Sequence, residues 1–444
     1  MVSINSRSRD NYGEYIREIF SNGEDRKMEA AREITFQVTN QCNLRCSYCY
    51  EHHKSDGSMS LYIGKKCIDR ILDMYEDNDT DFINKNTKSI ILDFIGGEPM
   101  LEAKLVEEIC DYFFHQCYLR NIPIAQFTRI AFATNGQNWF DKDVQHFVHK
   151  YKEFLSITVS IDGIQDLHDK YRIDRYGEGS FEKAYKAFLD VKNIYGSANS
   201  KMTFVPNSVQ YITPSIKMMI ENGCNLVNCN FAYEPEYSIS DAKNIYFELK
   251  KLSNYLIQNK SNAIVALLDS TLGGAVNLQH DDKNFCGGTG HMMAFDPDGN
   301  AYPCIRYAPI SIGKEKANKI IIGDCFNGLF KSESSKNIKK ELDSITFTSQ
   351  SPKKCIDCPV SLNCGWCSAY NYELYGTANK RYTGICYAHK GRVLGYYYYY
   401  NRRCIELGDK DPTKINLPYN EVVDILGKEE ADYLFNLEKE AFNK

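Results

Sequence analysis

Three cysteines stand close together in the run Cys42-Asn-Leu-Arg-Cys46-Ser-Tyr-Cys49, directly after an apolar stretch at 34–39. Thiolates so spaced suit a soft metal, and three of them on a four-iron cluster leave one iron open for chemistry. A structural zinc site asks for four ligands in paired knuckles, and a ferredoxin run for a fourth Cys before Pro. Neither surrounds Cys42, and His52 and His53 follow Cys49 too closely to form a second knuckle. Further on stands a second field: Cys286, Cys304, Cys355, Cys358, Cys364, Cys367 and Cys386. Its Cys355-x2-Cys358 and Cys364-x2-Cys367 spacings have the form of zinc knuckles, so zinc ribbons are the simple alternative there.

The elements that must position these groups alternate. Strand-like runs at 34–39, 90–95, 130–134, 155–161, 202–205 and 226–231 are separated by longer helical patterns. Such alternation implies a parallel sheet with crossover helices. Six units predict an α/β fold, a partial (β/α)6 barrel of the TIM type. The cysteine run follows the first strand, Gly96-Gly97-Glu98-Pro99 the second, Asn135-Gly136 the third, and the fourth ends in Ser160-Ile161-Asp162-Gly163. Gly-Gly or Asn-Gly alone reads as turn chemistry. In parallel α/β barrels, however, reactive groups sit on the loops at the carboxyl ends of strands, so these four converge on one mouth.

Composition sets the bounds. A chain of 444 residues, 43% hydrophobic, 25% charged and with net charge −5 is an ordinary globular sequence of two or three domains. It gives no electrostatic reason to bind nucleic acid, and no run has the length of a membrane span or the pattern of a signal peptide. A cytoplasmic location is expected, where seventeen cysteines are metal ligands or buried thiols rather than disulfides. Cys67, Cys110, Cys117, Cys224, Cys229 and Cys404 read as small buried apolar residues. The expected organisation is an N-terminal helical extension (1–32), a barrel (33–235), a helical bridge (236–284) with an amphipathic helix at 245–257, a cysteine-rich domain (285–390) and a helical tail (391–444). The five tyrosines 396–400 read as packing.

The Cys-x3-Cys-x2-Cys spacing, with Tyr48 before its last Cys, resembles the radical SAM superfamily, whose cluster binds S-adenosylmethionine through the open iron. The resemblance implies that Cys42, Cys46 and Cys49 are the catalytic cluster ligands. It further implies that Gly96, Gly97 and Glu98 meet the cofactor's methionine ammonium, and that Ser160 and Asp162 meet its ribose or carboxylate. Tyr48 and Asn135 join them at the cofactor, and Arg172, in His168-Asp-Lys-Tyr-Arg172, is expected to pair a carboxylate of cofactor or substrate. The second cysteine field resembles the SPASM domain of peptide-modifying members, with two auxiliary 4Fe-4S clusters, although the gap between Cys364 and Cys367 is two residues where three is usual. By that resemblance Cys355, Cys358, Cys364 and Cys386 hold the outer cluster, and Cys286, Cys304 and Cys367 the inner one. The inner cluster is then one ligand short, open to a substrate thiolate or to Cys325. The expected activity is modification of a Cys-containing ribosomal precursor peptide by a 5′-deoxyadenosyl radical, forming thioether crosslinks, with flavodoxin or ferredoxin as electron donor. The alternatives are oxidation of a protein Cys or Ser, as by an anaerobic sulfatase maturase, and carbon–carbon crosslinking. Sulfatase maturases place an Asp directly after the Cys matching Cys304; here Ile305 and Arg306 follow.

Overall fold

In the computed structural model, which describes residues 31–79, 81–269, 271–280, 282 and 286–444, strands and helices alternate from the first strand onward. The order is β1 (Arg32–Thr39), α1 (Leu61–Glu76), β2 (Ile90–Gly96), α2 (Ala103–Leu119), β3 (Arg129–Thr134), α3 (Lys142–Lys150) and β4 (Leu155–Ser160). It continues through α4 (Gln165–Tyr171), α5 (Phe181–Tyr195), β5 (Asn199–Phe204), α6 (Ile212–Glu221), β6 (Leu226–Phe231) and α7 (Ile239–Gln258). The six units of a partial (β/α)6 barrel are thus present. The helical candidates before residue 31 lie outside the described residues. Among the described residues no helix is long and apolar enough to cross a membrane.

Packing divides the described chain into two units, one of residues 31–45, 49–158 and 286–344, the other of 46–48, 159–282 and 345–444. In the first, β1, β2 and β3 pair in parallel. Ile34, Phe36 and Val38 on one face of β1 and Thr35, Gln37 and Thr39 on the other are all buried, as expected of a parallel strand covered on both faces. Phe36 stacks on Phe94 at 5.4 Å between ring centroids. On its other edge β1 gains a parallel partner, β8 (Met292–Phe295), which an antiparallel β9 (Asn300–Tyr302) follows. Trp139, just after β3, is fully buried in this unit.

In the second unit β5 and β6 pair in parallel and a two-residue strand, β7 (Ile264–Val265), extends them. Helix α7 starts at a capping box in which Ser238 and Asp241 satisfy each other's backbone N–H. It packs on the long helix α10 (Cys386–Leu407), which follows α8 (Glu333–Ser344) of the first unit and α9 (Ser368–Tyr375) of the second. Two glycines one turn apart make that crossing close. A Cβ on Gly391 would lie 2.5 Å from the Ala242 carbonyl oxygen, and one on Gly395 2.6 Å from the Leu249 Cβ. Tyr396, Tyr397 and Tyr398 are buried in the core that α10 shares with α7, α11 (Tyr419–Leu426) and α12 (Lys428–Phe442). The tyrosine run is therefore core.

Candidate active site

In the first unit the loop after β1 carries Cys42 and Cys49, both half-buried. Donors point at their sulfurs. The Leu44 N–H lies 3.4 Å from Cys42 Sγ, Asn135 Nδ2 3.9 Å from the same sulfur, and Lys54 Nζ 3.4 Å from Cys49 Sγ. Such donors stabilise thiolate over thiol, the form that iron binds. Asn135 also donates to Asn43 Oδ1 at 2.7 Å, so the end of β3 braces the cysteine loop.

Gly96 and Gly97 are required here by proximity. A Cβ on Gly96 would lie 2.4 Å from the Thr39 carbonyl oxygen, and one on Gly97 2.2 Å from that of Gln41. Neither has positive φ, so a turn does not explain them. The cysteine loop rests on the bare backbone. Gly97 N–H donates to Thr39 and Glu98 N–H to Gln41, at 3.1 and 2.8 Å. The Glu98 side chain, 2% exposed, turns back into the loop. Its Oε1 accepts from Thr134 Oγ1 at 2.8 Å and from the Met100 N–H at 3.2 Å, and its Oε2 from the Asn135 N–H at 2.7 Å. A carboxylate has about four lone-pair positions, so one on Oε2 is left for a further donor. Burial pushes the Glu98 pKa up to about 7 against the pull of these three donors.

Two neighbours were not singled out in the sequence. Glu51, buried, has its pKa raised to about 7 by burial, opposed by Lys54. Arg306 stacks on Tyr50 with its guanidinium carbon 4.4 Å from the ring centroid. The position of Glu51, two residues after Cys49, was a visible signal; that of Arg306 was visible only as the absence of the sulfatase maturase Asp.

In the second unit Cys46 and Tyr48 sit over a buried polar network. Asp162, fully buried, accepts from Arg172 Nε at 2.9 Å and Nη2 at 3.2 Å, from the Thr203 N–H at 3.0 Å and from the Tyr48 hydroxyl. Its lone pairs are filled by protein donors, and Arg172 finds its carboxylate within the chain. Asp162 N–H donates to His168 Nδ1 at 3.3 Å, while Nε2 faces Ser180 Oγ at 2.9 Å. Because Ser180 Oγ donates to the Arg172 carbonyl, His168 carries its proton on Nε2. Burial, then the Arg172 charge, lowers its pKa to about 4, so it stays neutral. Ser160 ends β4, half-buried.

The same unit brings together four cysteines of the second field. Cys355, Cys358, Cys364 and Cys386 line one cavity of about 90 Å³, with Lys354, Arg381 and Lys390 on its wall. Burial pushes the Cys364 thiol up to about 11, against the pull of Arg381. Arg381 Nη2 donates to the Cys364 and Gly365 carbonyls at 2.8 and 3.3 Å and so holds that loop. Cys386 is the first residue of α10, where the helix dipole favours a thiolate. Four thiols, three cations and a helix N-terminus fit an anionic iron–sulfur cluster. Trp366, half-buried, stands between Cys364 and Cys367, and Cys367 caps α9. Cys286 and Cys304 belong to the first unit, Cys367 to the second. Cys325, considered as a further ligand, shares a thiol–thiol hydrogen bond with Cys67 and packs against Gly299. Among the described residues no three His, Cys, Asp or Glu gather closely enough to hold a single metal ion; a cluster spreads its ligands around a larger body.

Residues 36–208, which include the cysteine loop and the glycine pair, match the radical SAM superfamily. Residues 36–208 form a radical SAM domain. The chain is 29% identical over 163 residues to the cysteine-type anaerobic sulfatase-maturating enzyme of Clostridium novyi, covering 35% of this chain and 39% of that one. It is 23% identical over 394 residues to the radical SAM cyclopropyl synthase TigE of Paramaledivibacter caminithermalis, covering 82% and 72%. Native anSMEcpe with bound AdoMet and Cp18Cys peptide shares its fold, with TM-score 0.60 at 18% identity over 85% of this chain and 98% of that one. The matches to the first two curated relatives span 63% and 39% of their own length.

Proposed function

We propose that this chain is a radical SAM maturase with a SPASM-type second domain, and that it joins a Cys of a ribosomal precursor peptide to a neighbouring residue through a thioether. The observation that carries the reading is the second thiol set: four cysteines around one cavity, in a chain that already holds a three-cysteine radical SAM loop. Cys42, Cys46 and Cys49 would hold the first cluster, which with S-adenosylmethionine would supply the radical chemistry of hydrogen abstraction from the peptide. Gly96 and Gly97 keep the backbone open beside it, and Glu98 offers its remaining lone pair to the methionine ammonium. Asn135 braces Cys42, and Ser160 would meet the cofactor's ribose or carboxylate. The Tyr48–Asp162–Arg172 network holds the loop that carries Cys46. Cys355, Cys358, Cys364 and Cys386 hold an outer auxiliary cluster, and Cys286, Cys304 and Cys367 an inner one.

Making a thioether from a thiol and a C–H group removes two hydrogens. One would leave as a hydrogen atom and the other as a proton, and the remaining electron needs an acceptor, a role that a cluster held by the second cysteine set would supply. Co-expression with a Cys-containing precursor peptide tests this by mass spectrometry. The peptide should lose two hydrogens per crosslink, and a peptide Cys→Ser change should block that crosslink. Modification that persists without any peptide Cys overturns the thioether.

A second reading, oxidation of a protein Cys or Ser, is supported by the likeness to the C. novyi enzyme. It predicts a single modified residue and no crosslink. Arg306, laid over Tyr50 near the position where that family carries its Asp, weighs against it.

A further inference from the structure

A cavity of about 390 Å³ opens in the second unit beside the short strand β7, far larger than the 90 Å³ lined by the four cysteines. It has the size of a ligand site, roughly 300–1,000 Å³. Ala263, Ile264 and Val265 line it from the strand, and Tyr399, Tyr400 and Arg403 from α10. Ile264 donates its N–H to the Asn225 carbonyl at 2.8 Å, in the parallel register that sets Ile264 beside Leu226 of β6. Within a trans peptide, C=O and N–H point opposite ways. The Ala263 carbonyl, in the same peptide plane as that N–H, therefore points away from β6, and in an extended strand so does the Val265 N–H. Among the described residues β7 ends the sheet, and neither group is hydrogen-bonded.

An acceptor and a donor flanking one extended residue are what a neighbouring strand takes up with the N–H and C=O of a single residue. The charges around them are already matched. Among the described residues that line the cavity the cation is Arg403, and it is bonded to Asp409 at 2.6 Å and to the Tyr399 hydroxyl at 3.0 Å. Asp269 accepts from the N–H and the hydroxyl of Thr271. A phosphate or nucleotide thus finds its cation taken, whereas neutral backbone finds partners. Apolar side chains find Leu256, Leu268 and Ile264, the last 63% exposed. Val265 is only 4% exposed, so the edge is recessed: a single flexible strand reaches it, and the flat edge of a second folded copy does not. We propose that this cavity binds an extended, apolar stretch of the precursor peptide as an added strand on β7.

Such a site rests on the peptide-maturase reading and gives the peptide a place of recognition apart from the chemistry. β7 pairs with Leu226 and Val227 at the start of β6, whereas in such barrels the reactive groups sit at the carboxyl ends of the strands. From Val227 to its end at Phe231, β6 spans about 13 Å at the usual rise per residue. Along the peptide, the bound stretch is therefore separated from the reacting Cys by about four residues or more.

The test is capture of a displayed library of random peptides lacking Cys by the full-length, anaerobic, cluster-loaded enzyme, followed by hydrogen exchange on the enzyme with a selected peptide bound. Wild type should select peptides that share an apolar position, and binding should slow exchange across residues 261–269. Val265→Pro removes the donor N–H, and Ile264→Lys puts a charge on the edge at a position open to solvent. Each should weaken a selected peptide by about tenfold, the ratio for one hydrogen bond, while iron content and peptide-free cofactor cleavage stay at wild-type levels. N-methylation of that peptide should have the same effect at one residue and not at its two neighbours, because alternate N–H groups of a strand face opposite edges. Undiminished binding in Ile264→Lys overturns the site. So does a wild-type dimer that Ile264→Lys splits, which assigns the edge to a second copy. Wild type that modifies a co-expressed precursor yet captures no peptide overturns the site alone, whereas wild type that neither modifies nor captures any peptide overturns the maturase reading beneath it.

Discussion

Glu98 serves two ends of one carboxylate. Three internal donors tie it to β3 and to its own loop, and one lone pair on Oε2 remains. Replacing it by Ala therefore orphans the buried Asn135 N–H as well as the cofactor. Cofactor affinity should fall by about 1.5–3 kcal/mol, the range for a hydrogen bond to a charged group, as read by equilibrium dialysis. Its pKa, raised from 4.5 to about 7, gives a pH dependence of definite sign. The fold holds this proton more tightly than the unfolded chain does. Its contribution to stability is thus full below about 4.5 and is lost as pH rises through about 7. Cofactor binding runs the opposite way, because an ammonium needs the ionised carboxylate. Affinity should be higher one unit above that pKa than one unit below it, and Glu98→Gln should flatten the profile. Asp162 differs, being wholly occupied by the protein. Asp162→Ala leaves Arg172 buried without a counter-ion and should cost about 3–5 kcal/mol in anaerobic urea unfolding. Tyr48→Phe removes one neutral donor to Asp162 and should cost about 1 kcal/mol or more. The pattern Gly-Gly-Glu-Pro was legible in the sequence, but the way Asp162 is filled was not, because its partners stand 10, 41 and 114 residues away.

Elements were read well wherever periodicity had room to show. The six strands β1 to β6 lie where alternating runs of apolar residues predicted them, with β5 opening at Asn199 rather than 202 because its first residues are polar. The two-residue β7 and the four-residue β8 are too short to carry a period, and each is defined by the strand it pairs with. The glycines at 391 and 395 looked unremarkable in a helix, yet they set how near α10 comes to α7. Close approach is also the reason for Gly97. Gly97→Ala would drive a Cβ into the Gln41 backbone, 2.2 Å away, and must displace the loop that bears Cys42. The expected outcome is selective: about four irons lost and cofactor cleavage abolished, with the auxiliary clusters retained. Loss of all iron would instead mean that the substitution unfolds the chain.

For the molecule as a whole, the prediction is a count. Anaerobically reconstituted protein should carry about twelve irons in three clusters, with little zinc. Cys358→Ala should lower the count and abolish peptide modification while some cofactor cleavage remains, since Cys358 belongs to the cavity of the outer set. Activity with zinc and no iron would overturn the assignment. Packing groups residues 286–344 with β1 to β3 and residues 345–444 with β5 and β6. Sequence order conceals this, because β8 joins β1 across more than two hundred residues.

The chain has two tryptophans, and each unit holds one: Trp139, sealed in the first, and Trp366, between Cys364 and Cys367 in the second. An iron–sulfur cluster absorbs strongly where indole emits, so excitation energy on Trp366 would drain into a cluster built beside it. Trp366→Phe and Trp139→Phe proteins would then give each unit its own optical signal, and cluster loading in the second could be followed in real time by the dimming of a single fluorophore.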